Sequence, residues 1–118
     1  MKNLPLYLQI AREIEDRILA QDLEANERVP STNEFAQALK VNPATAGKGL
    51  KLLVDAGVLY QKRGMGTFVS EEGLKLVVAK RREDFQEESL PQFIHQAQQL
   101  DLSEDDLIKM IRGAYART

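Results

Sequence analysis

The sequence predicts a mostly helical protein in which three helices precede a small β-hairpin and a helical tail follows it. Two observations predict this order. Apolar residues recur at helical spacing up to Val54 and again from Leu74, whereas residues 58–69 have the pattern of two short strands around a glycine-rich tip. A chain of 118 residues is long enough for one ordinary domain, or for one small domain with an additional segment.

The first helix is predicted from about residue 5 to residue 21. Its apolar stripe comprises Leu6, Tyr7, Ile10, Ile14 and Ile18. A polar link, AQDLEANERVP, separates it from the second helix. Ser31 and Glu34 have the S-x-x-E spacing of a capping box, so we expect a short second helix to begin there and to end at about Leu39.

The third helix is predicted between Asn42, a preferred N-cap residue that is followed by Pro43, and Gly57, a preferred residue after a helix C-terminus. Its inward face comprises Ala46, Leu50, Leu53 and Val54. Two further glycines lie in its first turns, although an interior glycine costs about 1 kcal/mol relative to alanine. We expect Gly49 to let the second and third helices pack closely, and Gly47 to face outward.

The pattern changes from helix to strand after the third helix. Residues 58–60 and 67–69 are predicted strands, and the intervening QKRGMG is the hairpin tip. The three residues KVN separate the second and third helices. If Lys40 in this link adopts a left-handed conformation, the strain lowers the stability of the fold by roughly 1 kcal/mol. Three helices followed by a hairpin are the layout of a winged helix-turn-helix domain, which we predict over residues 1–70.

Residues 71–118 are predicted to form a short helical C-terminal arm. Its first helix carries Leu74, Val77, Val78, Arg81 and Phe85 on one face; Ser89-Leu90-Pro91-Gln92 starts a second helix, and Ser103 to Asp106 caps a third.

So short an arm cannot enclose both a good core and a roomy ligand pocket, so we interpret it as a dimerisation region. The predicted dimer contacts are Leu74, Val77, Val78, Phe85, Phe93, Ile94, Leu107, Ile108, Ile111 and Tyr115. The alternative is an intramolecular helical cap on the winged domain. A small-molecule effector would have to use the dimer seam or the crevice between the domains.

Charge is unevenly distributed along the chain, although the net charge is only −2. Residues 1–70 carry +1 and residues 71–118 carry −3, whereas residues 40–67 alone carry +4. We interpret this basic segment as the electrostatic footprint of a polyanion.

Composition excludes several other classes of function. The absence of cysteine excludes disulfides and thiolate metal sites, and it is typical of the reducing cytoplasm. No signal peptide or membrane span is expected, which predicts a cytoplasmic protein without membrane contacts. His95 is the only histidine, and no nucleophile–base or metal-ligand spacing occurs. We therefore predict that the protein is no enzyme and uses no cofactor or metal.

Four segments carry a resemblance to a known family: PLYLQIAREIEDRI, VPSTNEFAQALKV, NPATAGKGLKLL and GVLYQKRGMGTFV. They cover about residues 4–69, and in this order and spacing the sequence resembles the GntR family of bacterial transcriptional regulators. The Asn42-Pro43-x-Thr45 opening, Lys48 and the short helical C-terminus are similar to its YtrA-type branch. The resemblance implies a homodimer that binds a palindromic operator in double-stranded DNA, usually as a repressor.

A helix-turn-helix places the N-terminal part of its second helix in the major groove. Here that helix is 42–56, and the wing, residues 61–67, is expected at the minor groove or at the DNA backbone. The start of the preceding helix offers free N–H groups to a phosphate. The predicted DNA-binding residues are Ser31, Thr32, Asn33, Asn42, Ala44, Thr45, Gly47, Lys48, Lys51, Lys62, Arg63, Gly64, Met65, Gly66 and Thr67.

Two of these positions depart from the family's pattern. Many members carry arginine where this sequence has Asn33 and Gly47, and an arginine can bind guanine through two hydrogen bonds. We therefore expect a recognition sequence whose outer bases differ from those usual in the family. The same departures and the acidic total charge favour one alternative function, a winged-helix module that binds another protein and not DNA.

Overall fold

The computed structural model describes residues 4–118, so residues 1–3 of the predicted first domain lie outside the described part. Two compact units are present: the first ends at Lys80 and the second begins at Arg81. The elements are α1 (Leu6–Leu19), α2 (Thr32–Leu39), α3 (Pro43–Asp55), β1 (Leu59–Lys62), β2 (Gly66–Val69), α4 (Gly73–Asp84), α5 (Leu90–Gln99) and α6 (Glu104–Ala116). The predicted fold class, mostly helical with a small antiparallel hairpin, is confirmed.

Helix α1 contributes four residues to the hydrophobic core of the first unit. Ile10, Ile14 and Ile18 are buried, as the helical spacing predicts, and each buried aliphatic side chain of this size contributes roughly 1.5–3 kcal/mol. The predicted stripe is buried only from Ile10 onward, because Leu6 is exposed and Tyr7 is half-buried. The core comprises Ile10, Ala11, Ile14, Ile18, Val29, Phe35, Ala36, Ala46, Leu50, Leu53, Val58, Leu59, Val69 and Val77.

Gly49 lies where α3 packs against α1. A Cβ atom at this position would stand 2.8 Å from the carbonyl oxygen of Tyr7 and 3.1 Å from Cγ2 of Ile10. Gly49 therefore serves close packing, as predicted, but its neighbour is α1 and not α2. Gly47 is the glycine that faces α2, since its Cβ would lie 3.6 Å from Cγ2 of Thr32, an ordinary contact distance.

Side-chain caps define the helix-turn-helix connection. Oγ of Ser31 accepts a hydrogen bond from the N–H of Glu34 at 3.1 Å, and the Glu34 carboxylate accepts one from the N–H of Ser31 at 2.8 Å. This is the predicted capping box. Oδ1 of Asn42 accepts a hydrogen bond from the N–H of Ala44 at 2.8 Å and caps α3. Lys40 has φ 55° and ψ 44°, the left-handed conformation considered from the sequence.

Strands β1 and β2 form the wing. They pair in antiparallel register from Leu59 opposite Val69 to Lys62 opposite Gly66. Both strands extend further toward the tip than predicted, so the turn comprises residues 63–65.

A short segment of the polar link pairs with the outer edge of β2. The N–H of Val29 donates to the carbonyl oxygen of Thr67 at 2.8 Å, and the N–H of Val69 donates to that of Glu27 at 2.9 Å. Val29 points into the core, whereas Arg28 points outward. This segment was not predicted, because one apolar residue among charged residues shows no strand periodicity.

The first turns of α4 pack onto the first unit. Val77 is 0 % exposed and belongs to this unit's core. It is therefore buried within its own protomer and is not the exposed dimer contact that the sequence had predicted. Nζ of Lys80 lies 2.9 Å from Oε2 of Glu15, a buried residue of α1. A buried carboxylate is stabilised by a cation at hydrogen-bonding distance, so this ion pair helps to hold α4 against α1.

Within the second unit, the helical backbone continues to α5 without a break. Residues Phe85–Ser89 form a π turn, in which the N–H of Leu90 donates to the carbonyl oxygen of Phe85. Pro91 explains this turn, because its ring would collide with the carbonyl four residues earlier in a regular α-helix and a wider turn relieves the collision. Helix α5 begins at Leu90 as predicted, but Ser89 has helical backbone angles and makes no capping bond.

Helices α5 and α6 leave large apolar side chains of the second unit at its surface. The predicted cap of α6 is present: Oγ of Ser103 accepts from the N–H of Asp106, and the N–H of Ser103 bonds the Asp106 carboxylate and lowers its pKa. Ala97 is buried, with 4 % exposure. The exposed set comprises Phe85, Leu90, Phe93, Ile94, Leu100, Ile108, Met110, Ile111 and Tyr115. No described helix is long and apolar enough to cross a membrane.

The two glycines of α3 should respond oppositely to alanine. Gly49→Ala should lower the free energy of unfolding by about 1–3 kcal/mol, because its Cβ would press against the α1 backbone. Gly47→Ala should raise it by up to about 1 kcal/mol, because the site has room and alanine favours helix. Urea unfolding followed by circular dichroism measures both values. Equal effects of the two substitutions would contradict the assigned packing.

Candidate nucleic-acid interface

The predicted DNA-binding residues in the N-terminal part of α3 differ in their exposure to solvent. Asn42, Ala44 and Lys48 are exposed, whereas Thr45 and Gly47 are half-buried. Oδ1 of Asn42 is used by the helix cap, so its NH₂ group is the part of this side chain left for a ligand.

The two lysines of α3 have different partners. Nζ of Lys48 lies 4.1 Å from the centroid of the Tyr7 ring, a cation–π contact that directs the ammonium group along the start of α1. Nζ of Lys51 lies 2.9 Å from Oδ2 of Asp55, and both side chains are mostly exposed. Such an exposed pair is worth roughly 0.3–0.5 kcal/mol, so a phosphate can replace the aspartate. Tyr7 was not among the predicted interface residues.

The start of α2 lies beside the start of α3. A Cβ atom added to Gly47 would lie 3.6 Å from Cγ2 of Thr32, so the two helix starts are neighbours at this point. The first N–H groups of a helix have no acceptor within it, which leaves those of Thr32 and Asn33 for a ligand. The N–H of Ser31 is not free, because it bonds the Glu34 carboxylate; this bond and that from the Ser31 hydroxyl lower the pKa of Glu34.

The wing ends in an exposed turn that includes an apolar side chain. Met65 is 62 % exposed, and its N–H donates to the carbonyl oxygen of Lys62 at 2.9 Å. Gly64 has φ +75° with nothing near its missing Cβ, so glycine is favoured there by backbone conformation and not by lack of space. Arg63 is exposed, and Nζ of Lys62 lies 5.3 Å from the Phe68 ring centroid. The tip therefore exposes two positively charged side chains, Lys62 and Arg63, beside the apolar side chain of Met65.

The base of the wing is connected to α2 by a residue that the sequence analysis missed. Nη2 of Arg28 lies 3.4 Å from Oε1 of Glu34 in the first turn of α2. Nε of the same side chain would be 3.0 Å from a Cβ on Gly66, at the base of the wing. Thr67, next to Gly66, is half-buried and its carbonyl is occupied by the link. The start of α2 therefore lies next to α3 at Gly47 and is linked to the base of the wing through Arg28.

The described residues contain no group of three or more histidines, cysteines, aspartates or glutamates that could hold a metal ion. His95 is exposed on α5. The chemistry that α2, α3 and the wing offer is hydrogen bonding and positive charge from lysine, arginine, hydroxyl and backbone N–H groups, which suits a phosphate backbone and base edges.

Comparison with known proteins identifies the family. The profile described as "Bacterial regulatory proteins, gntR family" matches residues 6–69. YhcF of Bacillus subtilis (strain 168), a regulator of the helix-turn-helix type, is 31 % identical over 108 residues, which are 92 % of this chain and 88 % of YhcF. The repressor YtrA of the same organism is 30 % identical over 76 residues, covering 64 % of this chain and 58 % of YtrA.

Solved structures agree in fold. A GntR-family regulator from Bacteroides thetaiotaomicron has a TM-score of 0.77 and 34 % identity, over 96 % of this chain and 98 % of its own. The DNA-binding domain of AraR, solved in complex with operator ORX1, has a TM-score of 0.55 and 36 % identity, over 57 % of this chain and 81 % of its own. Regulators of this kind are not enzymes. The chain belongs to the GntR family of bacterial, DNA-binding transcriptional regulators.

Proposed function

We propose that this protein is a sequence-specific repressor that binds a palindromic operator as a homodimer. Helix 42–56 enters the major groove, and the wing, residues 61–67, contacts the minor groove or the backbone. The observation that carries the proposal is the neighbourhood of the three elements: a Cβ on Gly47 would lie 3.6 Å from Cγ2 of Thr32, and Arg28 connects the first turn of α2 with the base of the wing. The protein acts in the cytoplasm, and this mechanism requires no cofactor or metal.

Within the major groove, α3 supplies the base-reading groups. Lys48 reaches guanine acceptors or a phosphate, and Thr45 bonds a base or a phosphate. On the neighbouring α2, Asn33 offers the donor and acceptor pair that matches adenine, or it hydrogen-bonds a phosphate. Gly47 carries no side chain, and the ordinary 3.6 Å spacing to Thr32 shows that steric exclusion is not the reason for this glycine. Gly47 allows the α3 backbone to approach the DNA closely but supplies no side-chain contact.

Phosphate contacts surround these readers. Lys51 exchanges Asp55 for a phosphate, while the N–H groups of Thr32 and Asn33 bind the backbone at the start of α2. The wing adds Lys62 and Arg63, and Met65 inserts at the minor groove as apolar side chains of minor-groove binders do. These contacts fix the position of α3, and they make binding depend on salt.

The second unit dimerises the protein through the apolar surface of α5 and α6. Phe93, Ile94 and Ile111 are each exposed to more than a third, and Tyr115 is 80 % exposed. So many large apolar side chains on a small helical unit are typical of an interface. A dimer would place two copies of α3 in successive major grooves, about 34 Å apart.

A protein-interaction module without DNA binding is the second candidate function. Its support is the net charge of −2 and the two arginines that this sequence lacks at Asn33 and Gly47. The two functions differ because only the repressor should bind DNA, with an affinity that falls as the salt concentration rises.

Affinity for DNA should fall steeply as salt increases. We expect the protein to select a partly palindromic sequence from random DNA, and its logarithmic affinity to decrease with the logarithm of salt concentration by about 0.9 for each neutralised phosphate. Fluorescence anisotropy of the selected duplex at four salt concentrations measures the slope. Failure to select or bind any DNA at low salt would favour the protein-interaction module.

Two lysines should contribute to binding in different ways. Lys48→Ala should weaken binding and relax base preference at one position, costing about 1–3 kcal/mol if the lysine binds guanine. Lys62→Ala should weaken binding similarly for all sequences and reduce the salt slope by about 1. The control is Lys75→Ala on α4, next to Leu76, whose Cδ1 would lie 3.6 Å from a Cβ on Gly57, just beyond the C-terminal end of α3. Unchanged affinity in both variants would remove these lysines from the interface.

A charge in the apolar surface of the arm should produce monomers. Phe93→Glu should dissociate the dimer, because an unpaired carboxylate would be buried between protomers. Sedimentation equilibrium measures the mass, and anisotropy should show weaker operator binding because one half-site remains unoccupied. The matched control is Gln98→Glu, an exposed residue of the same helix. A monomeric wild-type protein that still binds the palindrome would contradict the assignment of the arm.

A further inference from the structure

Arg28 lies beside the wing in the folded protein, although its neighbours in the sequence do not indicate this. It lies in the polar link together with Asp22, Glu24 and Glu27, outside the basic segment at residues 40–67. In the folded protein the backbone of the link is bonded to β2, and Arg28 forms an isolated bridge with Phe68. Because Val29 turns inward, the Arg28 side chain is directed outward beside the wing.

The course of the Arg28 side chain is set by a glycine. A Cβ on Gly66 would lie 3.0 Å from Nε, 3.6 Å from Cδ and 3.7 Å from Cγ of Arg28, so the arginine crosses the base of the wing over the space that this glycine leaves. The guanidinium then ends 3.4 Å from Glu34 in the first turn of α2. It thus lies between the wing and α2, two of the elements proposed to contact DNA.

The ion pair with Glu34 gives little reason for this placement. Its 3.4 Å separation is long for a charge-assisted bond, and the Arg28 side chain is 50 % exposed. Exposed pairs of this kind contribute little to stability. Glu34 also keeps its role without Arg28, because the N–H of Ser31 bonds the carboxylate at 2.8 Å and is the main cause of its lowered pKa. The arginine is therefore free to change partner without loss of the helix cap.

We propose that Arg28 is a phosphate-binding residue of the DNA interface, and that it exchanges Glu34 for a DNA phosphate when the protein binds. This inference rests on the proposed function. A guanidinium binds phosphate through two parallel hydrogen bonds, which are stronger than the single long contact to Glu34. Glu34 then acts against binding, since its carboxylate both competes for Arg28 and repels the phosphate.

The chain contains a matched pair for the test. Nη2 of Arg17 lies 3.4 Å from Oε1 of Glu13 on α1, with similar exposure of both side chains. Arg17 lies in the last turn of α1, whereas Tyr7 in the first turn is the residue that meets Lys48. Arg17 and Glu13 therefore control for the loss of an arginine and of a carboxylate away from the interface.

The experiment measures anisotropy of a selected operator duplex over a series of salt concentrations. Arg28→Ala should lower affinity several-fold at low salt and reduce the magnitude of the salt slope by about 1. Arg28→Lys should keep the slope and lose part of the affinity, because lysine retains the charge without the planar pair of donors. Glu34→Gln preserves the capping box and should raise affinity several-fold. Arg17→Ala and Glu13→Gln should leave both quantities unchanged.

Two outcomes would overturn the proposal: a slope for Arg28→Ala equal to that of Arg17→Ala, or a lower affinity for Glu34→Gln. If Arg28→Ala fails to fold, as urea unfolding would show, Arg28→Lys and Glu34→Gln decide the question. Failure of the proposed function itself has a different signature, because the wild-type protein would then bind no DNA at any salt concentration.

Discussion

The contact between α1 and α3 at Gly49 is the constraint on which the winged domain depends. With no side chain on α3 at this point, the carbonyl of Tyr7 comes closer than any larger residue would allow. The approach brings Ile10 against the α3 core residues, and it also carries the Tyr7 ring under Lys48. Core packing and the direction of a predicted DNA-reading side chain therefore share one origin.

The wing depends on a second constraint, its pairing with the polar link. A hairpin of two short strands is marginally stable alone, but residues 26–29 add hydrogen bonds along β2 and insert Val29 into the core. The same pairing presents Arg28 across the base of the wing, over the space at Gly66. The link thus joins the wing to the first turn of α2, and the proposed DNA surface is assembled from three separate stretches of sequence.

The two units differ in how completely they bury their apolar side chains. The first has a closed core to which Val77 of α4 contributes, and Lys80 compensates the buried charge of Glu15. The second buries Ala97 and leaves Phe93, Ile111 and other large side chains accessible. This contrast supports the proposal that the second unit is completed by another protomer, whereas the first is complete by itself.

Sequence alone determined the order of the elements and those helix starts that carry a side-chain cap, because caps and periodicity act within one or two helical turns. Ser31, Asn42 and Ser103 cap the helices as predicted, and the wing lies where the glycines indicate. The predicted DNA-binding and dimerisation residues remain predictions.

Tertiary structure alone decided that Gly49 packs against α1, that Val77 belongs to the first core, and that Arg28 reaches the wing. The physical reason is that these contacts join residues far apart in the chain. Local propensity carries no information about which distant surface a residue will meet.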